Sequence, residues 1–229
     1  MNERRPLVRC DGAARTYGTG PAATVALQVT DCEVNAGQRI AVVGPSGSGK
    51  STLLHLMAGL DDPSTGVVSW PGIGTREELR PARVAVIFQG PSLLPPLSVL
   101  ENTALPLVIG GMTDTEAQQV ARGALGTLGL EELADKLPEE ISGGQAQRVA
   151  VARALAGQPS LILADEPTGQ LDSVNAAAVV EVLLAASARA GAALVISTHD
   201  LQVAARLPER WEIHNGQLTD NALEATWSH

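Results

Sequence analysis

Aromatic residues are scarce in this chain of 229 residues, which contains only three Trp, one Tyr and one Phe. A hydrophobic core must therefore consist mainly of Ala, Val, Leu and Ile, which suits a parallel sheet covered by helices. Hydrophobic residues make up 45% of the sequence, and a chain of this length can bury a large core. We expect one α/β domain, or one domain with a subdomain.

Positive charge is also in short supply. The chain has 16 Lys and Arg against 25 Asp and Glu, which gives a net charge of −9 at pH 7. Such a surface repels polyanions, whereas nucleic-acid-binding proteins normally carry a basic patch. Nucleotide binding is not excluded, because a phosphate-binding loop creates its own local positive field. We expect no nucleic-acid partner.

Cysteines and long apolar runs are few or missing. The two cysteines are Cys10 and Cys32, and no apolar run approaches the roughly 20 residues that a membrane-spanning helix needs. The first residues show no apolar core of a signal peptide. We expect free buried thiols rather than a disulfide or a metal pair, and a cytoplasmic protein. If the protein works at a membrane, a separate chain must cross it.

What the chain does contain is a phosphate-loop motif. Residues 44–51 match G-x-x-x-x-G-K-[ST] and lie between an apolar run, 40–43, and a helical pattern, 52–58. Inward-facing backbone N–H groups and a helix N-terminus bind phosphates, while the lysine reaches the β- and γ-phosphates and the final hydroxyl ligates Mg²⁺. A Gly/Ser-rich turn that binds nothing is the alternative. The predicted nucleotide-binding residues are Gly44, Pro45, Ser46, Gly47, Ser48, Gly49, Lys50, Ser51 and Thr52.

Short apolar runs predict the sheet. The runs 84–88, 161–164 and 194–197 are continuous and rich in β-branched residues, as is the run before the phosphate loop, which is typical of buried parallel strands. The stretches 7–10 and 25–29 instead alternate and are predicted as strands of an N-terminal β part. The polar tail after Asn215 and Gly216, a plausible turn, is expected to be loosely ordered.

A helical region interrupts this pattern. Pro91, Pro95, Pro96 and Pro106 predict a loop-rich stretch, after which a capping box at 113–116 starts a helical repeat. We predict a single domain, 1–229, in which a helical subdomain of about 90–157 is inserted into a core formed by 1–89 and 158–229. A further helix is expected over about 174–189, with Asp172 or Ser173 as its N-cap.

Two adjacent carboxylates follow the apolar run 161–164. Open α/β sheets place ligands at strand ends, and neighbouring side chains on a strand point in opposite directions. Asp165 and Glu166 can therefore have different roles. Asp165 suits a Mg²⁺ shell, and Glu166 suits a general base that polarises a water facing the γ-phosphate. A solvated acidic turn is the alternative reading if the pair is taken alone.

A second helix N-terminus that glycines leave uncovered is predicted before the helical stretch 146–155. Ser142 and Gln145 fit a capping box, and Gly143 and Gly144 leave the helix N-terminus uncovered, which makes it a second anion site. Taken alone, this would be only a helix cap.

Followed by Gln147-Arg148-Val149-Ala150, however, the run Ser142-Gly143-Gly144-Gln145 resembles the signature of the nucleotide-binding subunits of ABC transporters. The resemblance extends over nearly the whole chain, and Ile141 replaces the usual leading Leu. It implies a P-loop NTPase core with a mainly parallel sheet, an N-terminal antiparallel β part and an inserted helical subdomain. It also implies ATP hydrolysis with Mg²⁺ between two copies, the signature of each capping the ATP held by the other.

Further residues match functional positions of that family. Gln89 looks like the glutamine that senses Mg²⁺ and links the site to the membrane partner, and His199 looks like the switch histidine on the γ-phosphate. Tyr17 lies where the family places an aromatic that stacks on adenine, and 169–172 looks like the loop that contacts the opposite subunit. The alternatives without a functional role are a surface amide for Gln89, a core or capping histidine for His199, and a packed strand residue for Tyr17.

Two stretches, 165–173 and 99–107, resemble the corresponding sequences of one branch of the family, the lipoprotein-releasing, macrolide-efflux and cell-division ATPases. Gln170 replaces the Asn usual in that branch, and the segment 70–83 is shorter than usual. The implied function is the ATPase subunit of an exporter, efflux pump or lipid extractor, at the cytoplasmic face of the membrane, paired with a second copy or a homologous subunit. It would drive its transmembrane partner through the region 89–108. The alternative is a mechanotransmitting ATPase that regulates a cell-wall enzyme.

Overall fold

In the computed structural model, residues 5–169 and 171–220 are described. The strands are β1 (Val8–Tyr17), β2 (Thr24–Val34), β3 (Arg39–Val43), β4 (Thr65–Ser69), β5 (Val84–Ile87), β6 (Leu161–Asp165), β7 (Ala193–Thr198), β8 (Glu209–His214) and β9 (Gln217–Asp220). The helices are α1 (Lys50–Met57), α2 (Val99–Ile109), α3 (Asp114–Thr127), α4 (Gly143–Ala156), α5 (Ser173–Ala190) and α6 (Leu201–Ala204).

The strands form two sheets. The larger has six strands in the order β5-β6-β7-β3-β8-β9, and all neighbours in it are parallel except β8 and β9. The smaller has three antiparallel strands in the order β2-β1-β4. The α/β expectation, the mainly parallel sheet and the N-terminal antiparallel part are confirmed.

The strands of the large sheet are buried on both faces. In β3, Ala41 and Val43 pack into one hydrophobic cluster while Ile40 and Val42 pack into another. The first cluster also contains the buried faces of α2, α3 and α4, so these helices and the sheet share one continuous core. Burial on both faces explains why the strands read as unbroken apolar runs rather than as alternating patterns.

Helix α2 corrects the prediction of a loop-rich stretch up to Pro106. The Ser98 hydroxyl accepts a hydrogen bond from the Glu101 N–H, and the Glu101 carboxylate accepts one from the Ser98 N–H, so a capping box starts the helix there. Pro106 lies inside α2. Burial of Val99 and Leu107 in the first cluster outweighs the hydrogen bond that the proline cannot make.

The C-terminal tail is more regular than predicted. Asn215 and Gly216 both have positive φ, 51° and 77°, and form the tight turn between β8 and β9. Strand β8 lies beside β3 because its alternating Trp211 and Ile213 are buried against the sheet. The expectation of a loose tail is therefore wrong for 217–220, and its remaining residues lie outside the described part.

Candidate functional site: a phosphate loop with paired carboxylates

The phosphate loop connects the end of β3 to the start of α1. Gly44 has φ 155° and Gly49 has φ 109°, and a Cβ at these positions would lie 2.1 Å from the Ile213 carbonyl oxygen and 2.3 Å from that of Ala26. The Gly216 N–H donates a 2.9 Å hydrogen bond to the Ser48 carbonyl, so the β8–β9 turn supports the loop from below. Glycine at both positions is required by sterics and by backbone conformation.

Lys50 is held inside the loop. Its Nζ donates to the carbonyl oxygens of Gly44, at 2.9 Å, and Pro45, at 3.0 Å, and lies 3.4 Å from Glu166 Oε1. The residue is only 4% exposed. A buried ammonium next to an open cleft is suited to bind a phosphate oxygen.

The phosphate loop forms one wall of a cleft of about 320 Å³, and one lining residue has an unsatisfied polar atom. The hydroxyl of Ser48 is buried and has no hydrogen-bond partner among the described residues, so it fits an additional phosphate oxygen. The residues that line the cleft come from β2, the loop, α1 and the ends of β5 and β6: Ala26, Ser46, Gly47, Ser48, Gly49, Lys50, Ser51, Thr52, Gln89 and Glu166.

Asp165 connects the loop to the parallel sheet. Its Oδ1 accepts a 3.0 Å hydrogen bond from the Ser51 hydroxyl and another from the Ser197 hydroxyl. A hydroxyl and a carboxylate oxygen this close, with the Gln89 amide lining the same cleft, form the hard oxygen donor set that Mg²⁺ prefers. Ser51, Asp165 and Gln89 therefore fit the predicted magnesium site.

Glu166 lies beyond the strand, which corrects the argument from strand alternation. Strand β6 ends at Asp165, and Glu166 has φ 44°, in the left-handed region. Its N–H donates to the Ser197 hydroxyl, at 3.0 Å, and to the Ser197 carbonyl, at 3.1 Å, which holds this conformation. The backbone turn at Glu166, rather than alternation, separates the two carboxylates.

The Glu166 carboxylate lies between two nitrogen groups. Oε1 lies 3.4 Å from Lys50 Nζ, and Oε2 lies 3.0 Å from His199 Nδ1. His199 follows β7 and its side chain is 64% exposed, against 16% for Glu166. The structure thus brings together the predicted base, the predicted switch histidine and the loop lysine.

The signature residues lie on a different element. Ser142 is the N-cap of α4, with its hydroxyl accepting from the Gln145 N–H and its own N–H donating to Gln145 Oε1. Among the described residues, no atom beyond the chain neighbours and the helix's own backbone lies within 4 Å of a Cβ placed on Gly143, whereas a Cβ on Gly144 would lie 3.5 Å from Leu171, so the helix start is open at Gly143. The capping box is confirmed, and of the described residues none from the signature lines the phosphate cleft.

Comparison with known proteins now identifies the architecture. A family model described as ABC transporter matches residues 27–169. The chain belongs to the ABC transporter family. A dimeric post-hydrolysis structure of the ATP-binding cassette MJ0796, bound to ADP and Pi, is 34% identical with a TM-score of 0.84, and the match covers 93% of this chain and 98% of that one.

Two further solved cassettes are similar. A dimeric structure of MJ0796, described as a bacterial ABC transporter cassette, has the same identity and coverage and a TM-score of 0.85. CbiO1 from Clostridium perfringens, part of the ABC transporter complex CbiONQ, is 25% identical with a TM-score of 0.79, and the match covers 93% of this chain and 87% of that chain. An ABC cassette with these features binds nucleotide, and family membership implies ATP hydrolysis. In the described part of this cassette no helix is both long and apolar enough to cross a bilayer.

Tyr17 ends β1 and lies outside the lining of the phosphate cleft of this ABC cassette. Its hydroxyl donates a 2.8 Å hydrogen bond to Asp61, and the Arg15 guanidinium carbon lies 4.6 Å from the ring centroid. Burial alone would raise the pKa of Asp61. The hydrogen bonds from Tyr17 and the Asp62 N–H, together with Arg15, lower it by more, so the pKa lies below its ordinary value. Arg15 thus occupies one face of the ring, and adenine stacking on the other face stays a prediction.

Ser197 of this ABC cassette supports both candidate carboxylates, and it was not among the residues predicted from the sequence. It holds both Asp165 and the Glu166 backbone. Its position opposite Asp165 in the β6–β7 register could have been inferred from the parallel pairing of the two apolar runs. The predicted contact loop 169–172 includes Gln170, which lies outside the described residues.

Proposed function

We propose that this chain is the ATP-hydrolysing subunit of an ABC transporter, which dimerises around two MgATP molecules and drives a separate transmembrane subunit in export, efflux or lipid extraction. One observation carries the proposal. Each copy has a cleft lined by Lys50 and Glu166, with His199 beside the Glu166 carboxylate, whereas its own signature residues at the start of α4 do not line this cleft. A second copy would supply the missing helix N-terminus.

The described residues account for the chemistry. The loop N–H groups and Lys50 bind and orient the phosphates, and Glu166 accepts a proton from the attacking water. His199, beside Glu166 Oε2, orients the carboxylate and contacts the γ-phosphate. Bound Mg²⁺ would neutralise phosphate charge from the oxygen donor set around Ser51.

The first test concerns dimerisation and turnover. The Glu166→Gln variant should bind MgATP, hydrolyse it about 10²- to 10⁴-fold more slowly, and accumulate as a dimer, because it keeps the phosphate site but loses the base. Sedimentation velocity with and without MgATP, and an ATPase assay, measure these effects. Two results together would refute the shared site. The MgATP-loaded Glu166→Gln variant would remain monomeric at high concentration, and the ATPase rate of the wild-type protein would rise linearly with enzyme concentration.

The membrane partner is supported by exposed apolar side chains in and beside the region 89–108. They lie in the loop after β5 and at the end of α2 and just beyond it: Phe88, Leu94, Val108, Ile109 and Met112. The CbiO1 relative is part of a transporter complex. We infer that this surface docks a transmembrane subunit, and that the chain belongs to the branch of lipoprotein-releasing, macrolide-efflux and cell-division ATPases.

Affinity purification of the tagged chain from detergent-solubilised membranes tests this second part. Mass spectrometry should identify an integral membrane subunit, and Ile109→Asp should reduce its recovery while leaving the ATPase of the isolated chain unchanged, since Ile109 is 66% exposed and does not line the cleft. The matched control is Val29→Asp, 70% exposed on β2, which should leave recovery intact. Recovery of no membrane subunit would contradict the transport assignment.

A further inference from the structure

Gln147 connects the signature helix α4 to the two chain segments that contain Gln89 and Glu166. It is 2% exposed on α4, and its Nε2 donates 3.1 Å hydrogen bonds to the carbonyl oxygens of Phe88 and Pro167. Phe88 immediately precedes Gln89, and Pro167 immediately follows Glu166. One side-chain amide thus connects the helix that starts beside Ser142 to the backbone on which the proposed magnesium ligand and the proposed base are carried.

The two carbonyl partners determine which atom of the Gln147 amide faces them. Two carbonyl oxygens can accept only from the NH₂ group, so the nitrogen must face them. The opposite atom, Oε1, is buried and has no hydrogen-bond partner in the described part of the chain. An unsatisfied buried acceptor is unfavourable, and an apolar side chain of the same length would avoid it. Packing alone therefore does not explain a glutamine at this position.

A neighbouring contact of α4 is different. Arg153 donates to the Ser92 carbonyl at 3.0 Å and to the Ser92 hydroxyl at 2.9 Å, so it holds the loop that follows Gln89. Gln147 also reaches the segment after Glu166. The two hydrogen bonds of Gln147 therefore link α4 to the backbone on both sides of the cleft.

We propose that Gln147 is a positioning residue that aligns Glu166 and Gln89 when the signature helix docks on the nucleotide held by the partner copy. This inference rests on the proposed dimer. Gln147 lies little more than one helical turn from Ser142, about 6–8 Å along a rigid helix. Misplacing a catalytic group by about 1 Å can slow a reaction about 10²-fold, so a small tilt of α4 is sufficient. Hydrolysis in one cleft then depends on the ligand in the other.

The test compares wild-type protein with Gln147→Met, which is similar in length but cannot donate a hydrogen bond. We expect kcat to fall about 10²-fold because Glu166 is no longer aligned. The MgATP concentration for half-maximal turnover should change little, because the nucleotide contacts and the open helix start are intact, so the loss is in kcat alone. In the Glu166→Gln background, the MgATP concentration that gives half-maximal dimerisation should change by less than about twofold, since the open helix start is intact.

Thr103→Val is the matched control. Thr103 is fully buried in α2, and its hydroxyl donates a 2.8 Å hydrogen bond to the Val99 carbonyl, so the substitution also removes a buried donor from the helical region. It should keep the wild-type kcat and the wild-type MgATP dependence of turnover. An equal loss in Thr103→Val, an unchanged kcat in Gln147→Met, or the loss of dimerisation would each overturn the positioning role. A wild-type protein without ATPase activity, or a Glu166→Gln variant that does not dimerise, would overturn the proposed function and this inference together.

Discussion

At the scale of single residues, charge and backbone conformation determine what the cleft can do. Lys50 is buried among two carbonyl oxygens and the Glu166 carboxylate, and Glu166 is held in a left-handed conformation by Ser197. The identities of the phosphate-loop residues and of both carboxylates could be read from the sequence, because the chemistry demands those residue types at that spacing. The turn at Glu166 could not, because it depends on hydrogen bonds to a strand 31 residues away.

Removal of the Lys50 ammonium should weaken nucleotide binding. In Lys50→Ala, MgATP affinity is expected to fall about 10- to 100-fold, since hydrogen bonds to a charged group contribute about 1.5–3 kcal/mol. Isothermal titration calorimetry measures the change. The only other lysine, Lys136, is exposed, so Lys136→Ala is a matched control that should bind as the wild type does. Undiminished affinity in Lys50→Ala would contradict the phosphate-binding role.

At the scale of elements, sequence patterns predicted those helices and strands that carry their own signals. Helix α3 begins at a capping box, and β3, β5, β6 and β7 are unbroken apolar runs. Helix α2 was missed because Pro106 suggested a loop, although Ser98 and Glu101 form the same kind of cap. Strands β4 and β8 were missed because they pair with the distant strands β1 and β3. Strand β9 was missed because its polar sequence suggested a loose tail, although it pairs with β8 across the adjacent turn.

The cap of α3 gives a prediction about stability. Thr113→Ala should lower the free energy of unfolding by about 0.5–2 kcal/mol at pH 7, because the hydroxyl no longer accepts from the first turn. Urea unfolding followed by circular dichroism measures the loss. Thr115→Ala, at an exposed position in the same turn that does not cap, is the control and should be close to neutral.

The same cap depends on pH. Hydrogen bonds from the hydroxyl and then the N–H of Thr113 hold the pKa of Glu116 below its ordinary value of 4.5. A carboxylate whose folded pKa is depressed stabilises the fold above its unfolded pKa, and this contribution is lost as pH falls through the folded pKa. The stability difference between wild type and Thr113→Ala should therefore be constant above about pH 5 and shrink as the pH falls below 4.5. A difference that widens there would contradict this origin.

At the scale of the whole molecule, net charge opposes self-association. Each copy has a formal charge of −9, so two copies repel one another over distances comparable to the Debye length. That length falls from about 30 Å at 0.01 M salt to about 8 Å at 0.15 M. MgATP-driven dimerisation of Glu166→Gln should therefore become tighter as salt rises over this range. Sedimentation velocity at fixed nucleotide saturation measures the effect, and weaker association at higher salt would indicate attractive charge pairs across the interface.

The division of the chain into 1–89 with 158–229 and a helical insert of about 90–157 stays a prediction. The order of the elements agrees with it, since α2, α3 and α4 come between β5 and β6. The hydrophobic core does not stop at these borders, because residues of all three helices pack in one cluster with Ala41, Ile87 and Ala164 of the sheet. Sequence patterns locate the insert, whereas the continuity of its core depends on packing between distant segments.

The turn between β8 and β9 has a practical consequence for shortened versions of this protein. Its Gly216 donates to the Ser48 carbonyl, and the Ile213 carbonyl faces Gly44. The part that matches the family model ends at residue 169, well before either contact. A fragment that ended at residue 169 would keep the phosphate loop and the signature motif but lose both backbone contacts that support the loop.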